Sequence, residues 1–350
     1  MHLDAAAEGA LRELLAEGQS ANTVASYGAA LRYWSAWFKL RFGRPIEVPV
    51  PATAVIQFVL DHMPLQGADG QRFELPASID GALVRAKCKA RTGPLSLATI
   101  AHRLSVLAKL HTLLGAPNPC QEPSVRDLMA QTRRASAKCG AVSHAKPALT
   151  REPLEALLAT CDDSLAGVRD RALLLFAWAA GGLRRCEVIA ATLENVEANA
   201  DGTFTYRLGR SKNNAAGEQR PQDAKPVAGR AARALSMWLK TSGVTQGAIF
   251  RRVRKGTTVA EPLTPRAVRS IVKRRCELAG LAGDYSAHSL RSGFLTEAGR
   301  RNVPLAEAIA LSGHASLLTA IRYYQAGSAF TERAARLLDE PDATETGTSN

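Results

Sequence analysis

Long hydrophobic runs, paired cysteines and metal-binding signatures are all missing from this 350-residue chain. Its longest apolar stretch, Ala172 to Leu183, contains Gly181-Gly182 and falls short of the roughly 20 apolar residues a membrane-spanning helix needs. The N-terminal MHLDAAAEGALREL has mixed charge and no signal-peptide core, so a soluble, cytoplasmic protein without membrane association is expected. Six cysteines (Cys88, Cys120, Cys139, Cys161, Cys186, Cys276) include no CxxC pair, which argues for reduced thiols rather than a disulfide framework or a zinc site. No HExxH, phosphate-binding glycine loop or two-metal acidic cluster is present, so neither metal nor cofactor is expected. Acidic residues are also scarce: 32 Asp and Glu stand against 45 Lys and Arg, for a net charge of +13 and a pI near 9.8. That imbalance favours a polyanionic partner, because displaced counterions would drive association.

What the chain does have is helical periodicity, and enough apolar content (46%) to bury two cores. Residues 1–18 can form a short helix through Leu11, Leu14 and Leu15. Ser20 or Asn22 then caps a helix to about Phe42, with Val24, Tyr27, Leu31, Trp34, Trp37 and Phe38 at helical spacing. A helix over 52–63 follows. Residues 64–94, with the turn-forming QGADGQRF and the basic RAKCKARTG, are expected to be an insertion or long connection, either solvated or touching a polyanion. Ser96 starts a helix to about Leu114 whose apolar stripe leaves His102, Arg103 and Lys109 to one side, and another helix covers about 124–136. Residues 1–136 are thus expected to be an all-helical domain, and the small, basic stretch 137–149 a linker.

The second domain, 150–340, reads as mixed but mostly helical. Helices are expected at 151–160, 166–180 and 230–241, with a strand at Thr203–Leu208, a long turn through GRSKNNAAGEQR and a return strand at Ala224–Val227. Residues 341–350 are expected to be a disordered tail. Thr264-Pro265 is a cap-plus-proline start for a helix to about Ala279. Val268, Ile271, Val272 and Leu278 form its inward side, while Arg266, Arg269, Lys273 and Arg274 load the rest with only Glu277 interleaved. A merely solvated face would mix in more acids, so this one is a candidate nucleic-acid contact. The fold class is mainly α, with one small antiparallel sheet.

The densest pattern lies between Tyr285 and Gln325. Ser286 caps a helix on which His288 and Arg291, three apart, share a face near the N-terminus, an arrangement suited to an anion. Gly313-His314 follows, then Tyr323 nine residues later. If Ser316 caps a helix, Leu317, Ile321 and Tyr324 cluster on one side at about 100° per residue, and Tyr323 points away from them. Tyr324 then reads as packing and Tyr323 as the tyrosine free to reach a site. At Arg184 and Arg185, helical phase alone does not separate the two.

GGLRRCE at 181–187, HSLR at 288–291 and GHASLLTAIRY at 313–323, in this order after a helical domain, resemble the tyrosine recombinase (phage integrase) family, and within it the Cre-like members. The resemblance spans about residues 20–338. It implies a helical core-binding (SAM-like) N-terminal domain and a catalytic domain that together clamp duplex DNA carrying a specific recombination site. It implies Tyr323 as nucleophile and Arg184 and Arg291 as clamps on the phosphate oxygens. His288 would be the acid/base for the tyrosine, His314 a phosphate hydrogen-bond donor and Glu187 a supporting acid. Lys212 would protonate the leaving oxygen, with Lys225 as a rival. The Gly-Leu-Arg motif selects Arg184 over Arg185. Arg266 matches an arginine that reads a guanine, and Arg269, Lys273, Arg274, His102 and Arg103 are further DNA-contact candidates. It also implies a homotetramer on DNA, joined by exchange of a C-terminal helix at Phe330–Leu338, in a bacterial, phage or plasmid setting close to the nucleoid. The alternatives are a type IB topoisomerase-like enzyme and an inactive integrase-like DNA-binding protein.

Overall fold

The aromatic side chains of the first long helix organise the N-terminal half. In the computed structural model, which describes residues 21–67, 70–138, 146–209, 223–254 and 258–327, helix α1 spans Ala21–Phe42. Tyr33, Trp34, Ala36, Trp37 and Phe38 are all buried, so the middle of α1 is enclosed on every side rather than along one stripe. Helix α2 (Ala52–His62) brings Phe58 into a stack with Trp34, ring centroids 3.9 Å apart, and edge-on to Trp37 at 5.0 Å. Such pairs add to the gain from burying their area.

The stretch 64–94, expected to be an insertion or long connection, has secondary structure of its own. It contains a two-stranded antiparallel hairpin, β1 (Leu65–Gly67) with β2 (Gly70–Arg72), and helix α3 (Ala77–Arg85). Its basic run folds back on the unit. Lys89 is buried, its Nζ donating to Asp80 Oδ1 at 2.5 Å, and Asp80 Oδ2 accepts from Gly93 N–H at 2.7 Å. Gly81 and Asp80 lower the helical propensity of α3, so tertiary pairing sustains a helix that periodicity does not reveal. Helix α4 (Leu97–Leu113) starts at Ser96, whose Oγ accepts from Thr99 N–H, and α5 (Pro123–Lys138) closes the helical set.

The chain divides into two compact units, Met1–Ser143 and His144–Asn350. The second is built around α7, which follows α6 (Arg151–Ala159) and spans Leu165–Ala179. Helix α7 ends at Gly181-Gly182 and leads into the short α8 (Arg185–Ile189). A three-stranded antiparallel sheet follows, in the order β3 (Val196–Ala198), β4 (Phe204–Arg207), β5 (Ala224–Val227), so the expected strand pair gains a third member. Helix α9 (Gly229–Ser242) packs on α7, and a second hairpin, β6 (Arg251–Arg254) with β7 (Thr258–Pro262), was not expected from periodicity.

Helix α10 (Pro265–Leu278) starts at Thr264, whose hydroxyl accepts from Ala267 N–H. Its inward side is Val268, Ile271, Val272, Arg275 and Cys276, whereas Leu278, expected inside, is exposed. Arg275 takes the inward place because Asp170 of α7 is buried there. Arg275 Nε and Nη2 reach Asp170 Oδ2 at 2.9 and 2.7 Å, while Arg169 Nε donates to Oδ1 at 2.9 Å. Three helices complete the unit: α11 (Ala287–Arg300), α12 (Leu305–Ser312) and α13 (Leu317–Gln325). This mainly helical architecture with small antiparallel sheets agrees with the expected fold class. The expected helices at 1–18 and 330–338, Lys212, most of the linker and the tail 341–350 lie outside the described residues.

Candidate active site

Two glycines open the site. Gly181 and Gly182 have φ of 91° and 72°, a left-handed conformation that costs other L-residues roughly 1–2 kcal/mol. Both are also pressed against backbone: a Cβ on Gly182 would lie 2.4 Å from Arg291 Cα, and one on Gly181 2.3 Å from Leu311 O. The turn they form brings the end of α7 against α11 and α12 together. It sets Arg184 as the N-cap of α8, where Glu187 Oε2 accepts from Arg184 N–H at 2.7 Å and Glu187 Oε1 binds the Arg184 guanidinium at 2.5 Å. Glu187 is buried, and Arg185 is turned to the exterior.

Helix α11 begins with a capping box: Ser286 Oγ accepts from His288 N–H, and Ser289 Oγ accepts from Ser286 N–H. This fixes the first turn, from which His288 and Arg291 project. Arg291 is buried, with Nη1 donating to Gly182 O at 3.1 Å and Nη2 to Gly313 O at 3.0 Å. Its guanidinium thus bridges the glycine turn and the C-cap of α12, where Gly313 is left-handed (φ 61°). Next in the chain, His314 accepts or donates through Nδ1 to Ser312 Oγ at 2.9 Å. Its ring centroid is 6.4 Å from that of Tyr323.

Ser316 Oγ caps α13 through Thr319 N–H, but the inward side of this helix differs from expectation. Leu317 is 56% exposed and Ala320 is the fully buried position, packed against Leu295 and Ala298 of α11 and Ala308 of α12. Both tyrosines pack against the cluster around Leu295 and Ala320, but their hydroxyls part. Tyr324 Oη donates to Val303 O at 2.7 Å, whereas Tyr323 Oη stands 3.4 Å from His288 Nε2. Thr296 of α11, whose hydroxyl donates to Tyr323 O at 3.0 Å, anchors the helix at the tyrosine itself. A buried threonine facing a carbonyl 27 residues away leaves no trace in the sequence pattern.

The field of this cluster is cationic. Arg291 is held down to about 10, first by burial and then by Arg184. His314 is lowered to about 3 by burial, then by Arg291, Arg184 and His288. His288 is an exposed residue beside these cations. Partial desolvation by its neighbours, followed by Arg291, Arg184 and Lys146, also lowers its pKa. Both imidazoles are therefore neutral near pH 7, ready to take or share a proton, while the guanidinium groups stay charged. Such a site receives an anion and holds a phenol beside a neutral base. Among the described residues, no group of three His, Cys, Asp or Glu side chains is arranged to hold a metal ion.

Lys225, the rival lysine, is in β5 and is buried; its Nζ donates to Ala310 O at 2.9 Å. On α10, Arg266, Arg269 and Arg274 are exposed with no carboxylate partner among the described residues, and Lys273 lies 3.6 Å from Asp284. In the N-terminal unit His102 is exposed, at 2.9 Å from Ser26 Oγ. Arg103, the other DNA-contact candidate of this unit, is half-buried. Its guanidinium lies 3.2 Å from the centroid of the Tyr33 ring and its Nη1 is shielded from solvent, because the aromatic face offers a favourable cation–π contact inside the unit.

Residues 147–329 match the phage integrase family. An integrase/recombinase XerD homologue from Selenomonas ruminantium is 29% identical over 246 residues, covering 67% of this chain and 70% of the homologue. Tyrosine recombinase XerC 2 from Ralstonia nicotianae is 31% identical over 172 residues, 49% of this chain and 47% of its own length. Among solved structures, the XerH site-specific recombinase bound to palindromic difH substrate, in a post-cleavage complex, superposes with a TM-score of 0.58 at 17% identity. That alignment covers 91% of this chain and 80% of XerH, a likeness of fold.

Proposed function

Because the chain belongs to the phage integrase family of tyrosine recombinases, we propose that it is a site-specific recombinase that cuts and rejoins duplex DNA through Tyr323. The observation that carries this reading is the 3.4 Å approach of Tyr323 Oη to His288 Nε2, beside two guanidinium groups and a second neutral imidazole. Tyr323 Oη attacks the scissile phosphorus, forming a 3′-phosphotyrosyl ester as the bond to the 5′-oxygen breaks. His288 accepts the phenolic proton. Lys212 delivers a proton to the departing 5′-oxygen, which leaves as a hydroxyl.

Arg184 and Arg291 stabilise the charge gathering on the non-bridging oxygens, a role for which preorganised, planar donors are suited. His314 donates a further hydrogen bond, and Glu187 fixes Arg184 through two contacts. Attack by the 5′-hydroxyl of another strand reverses the chemistry and exchanges partners. The ester conserves the bond energy, so no nucleotide or metal is required. Exposed Arg266, with Arg269, Lys273 and Arg274, reads the site from α10, and His102 adds a contact from the N-terminal unit. Four protomers, linked through 330–338, perform two exchanges through a Holliday junction.

The test is a nicked suicide substrate carrying the target site, found by selection from random sequence, incubated with EDTA and resolved on a denaturing gel. A covalent band is expected for wild type and Tyr324→Phe but not for Tyr323→Phe. Recombinant products separate strand exchange from simple nicking and resealing. Tight, specific binding without any adduct would favour an inactive DNA-binding protein.

A further inference from the structure

Strand β5 breaks the alternation of a half-buried strand at one position. Its inward residues are Lys225 and Val227, and Lys225 is only 2% exposed, where an apolar side chain would cost nothing to desolvate. Opposite it in the register is Tyr206 of β4, also fully buried, whose hydroxyl donates to Glu187 O at 2.6 Å. The inner face of the sheet therefore reaches two parts of the site with polar groups: α8 through Tyr206 and α12 through Lys225.

The partner of Lys225 explains why a charge is kept there. Ala310 O belongs to the last turn of α12, whose carbonyls lack helical partners and form the negative end of the helix dipole. Two cations meet this end: Lys225 on Ala310 O at 2.9 Å and Arg291 on Gly313 O at 3.0 Å. A Cβ on Gly313 would lie 3.9 Å from Lys225 Nζ, so the ammonium sits directly behind the turn that leads to His314. Burial lowers the lysine's pKa, whereas Asp223 and Glu187 favour its charged form.

We propose that Lys225 is a positioning residue for His314: by holding the C-terminal turn of α12 it presents this imidazole to the reacting phosphate. The inference rests on the reading of Tyr323 and His314 given above. It also separates Lys225 from the proton-donating lysine, since its ammonium is buried against a main-chain carbonyl behind the turn.

The experiment measures single-turnover adduct formation on the suicide substrate for Lys225→Met, alone and combined with His314→Ala. Lys225→Met is expected to slow cleavage by roughly ten- to a hundredfold, the worth of one charge-assisted hydrogen bond, with DNA affinity unchanged. In the His314→Ala background the same change should have little further effect. Equal slowing in both backgrounds, or no slowing at all, overturns the proposal. So does restoration of Lys225→Met by a substrate with sulfur at the 5′-bridging position, because a thiolate leaves without an acid and its rescue would mark Lys225 as that acid. If the methionine variant does not fold, Lys225→Gln, which keeps a donor without the charge, takes its place. The imidazole NMR signals of His314 should shift in the folded variant while those of His62 do not. That readout stands even if wild type forms no adduct, an outcome that would instead refute the reading of Tyr323.

Discussion

Replacing Gly182 with alanine tests whether the glycine turn assembles the site. Two costs add. Gly182 has φ of 72°, and an L-residue held there loses roughly 1–2 kcal/mol. The new Cβ would also lie 2.4 Å from Arg291 Cα and 3.1 Å from Leu290 O. These are backbone atoms, so no side chain can swing aside and α11 itself must retreat. That movement stretches the 3.1 Å bond from Arg291 Nη1 to Gly182 O, a hydrogen bond to a charged group worth about 1.5–3 kcal/mol. The total is about 2.5–5 kcal/mol, a large share of the 5–15 kcal/mol typical of a folded domain. Gly202 is the internal control: its φ is 79°, but nothing lies within 4 Å of its would-be Cβ, so Gly202→Ala should cost only the conformational part. Urea unfolding of both variants, followed by adduct formation in the folded state, measures the difference. Equal destabilisation of the two would refute the close-approach argument, and normal cleavage by Gly182→Ala would sever the turn from the chemistry.

Asp170→Asn should destabilise the second unit by about 3–5 kcal/mol, because it leaves the buried guanidinium groups of Arg169 and Arg275 without their carboxylate; a urea shift worth less than about 1 kcal/mol would contradict this. Acid should weaken the fold before the carboxylates titrate. His62 and His314 are held down to about 3, and His111 and His288 are also lowered, so below the ordinary value of 6.5 the unfolded chain binds protons that the folded one excludes. Stability is then fully present above pH 6.5 and, for His62 and His314, falls by about 1.4 kcal/mol per pH unit each as the pH drops from there toward 3. Urea midpoints that stay flat from pH 7 to 5 would exclude it. Arg266→Ala should relax base preference at about one position of the selected site, by roughly 1–3 kcal/mol, and an unchanged selected sequence would remove Arg266 from the reading surface.

Local physics made much of this protein legible without coordinates. Helix starts at Ser96, Thr264, Ser286 and Ser316 were visible because a capping hydroxyl needs only a main-chain N–H two or three residues ahead. Tyr323 and Tyr324 diverge by the roughly 100° of one helical step, and the longer helices α1, α4, α7 and α10 follow from apolar spacing. Short-range geometry is written in consecutive residues.

Tertiary structure decided whatever depends on a partner distant in the chain. Arg275 and Lys225 are buried because Asp170 and Ala310 O wait for them, 105 and 85 residues away, and Arg103 turns inward to Tyr33. Helix α3 persists through the Lys89–Asp80 pair despite weak propensity, and Leu278 and Leu317 lie exposed on faces that periodicity would have buried. Periodicity reports which face of an element is apolar. It does not report where a neighbouring backbone comes close enough to accept a charge or to leave room only for a glycine, and here those contacts draw Arg184, Arg291, His288, His314 and Tyr323 together.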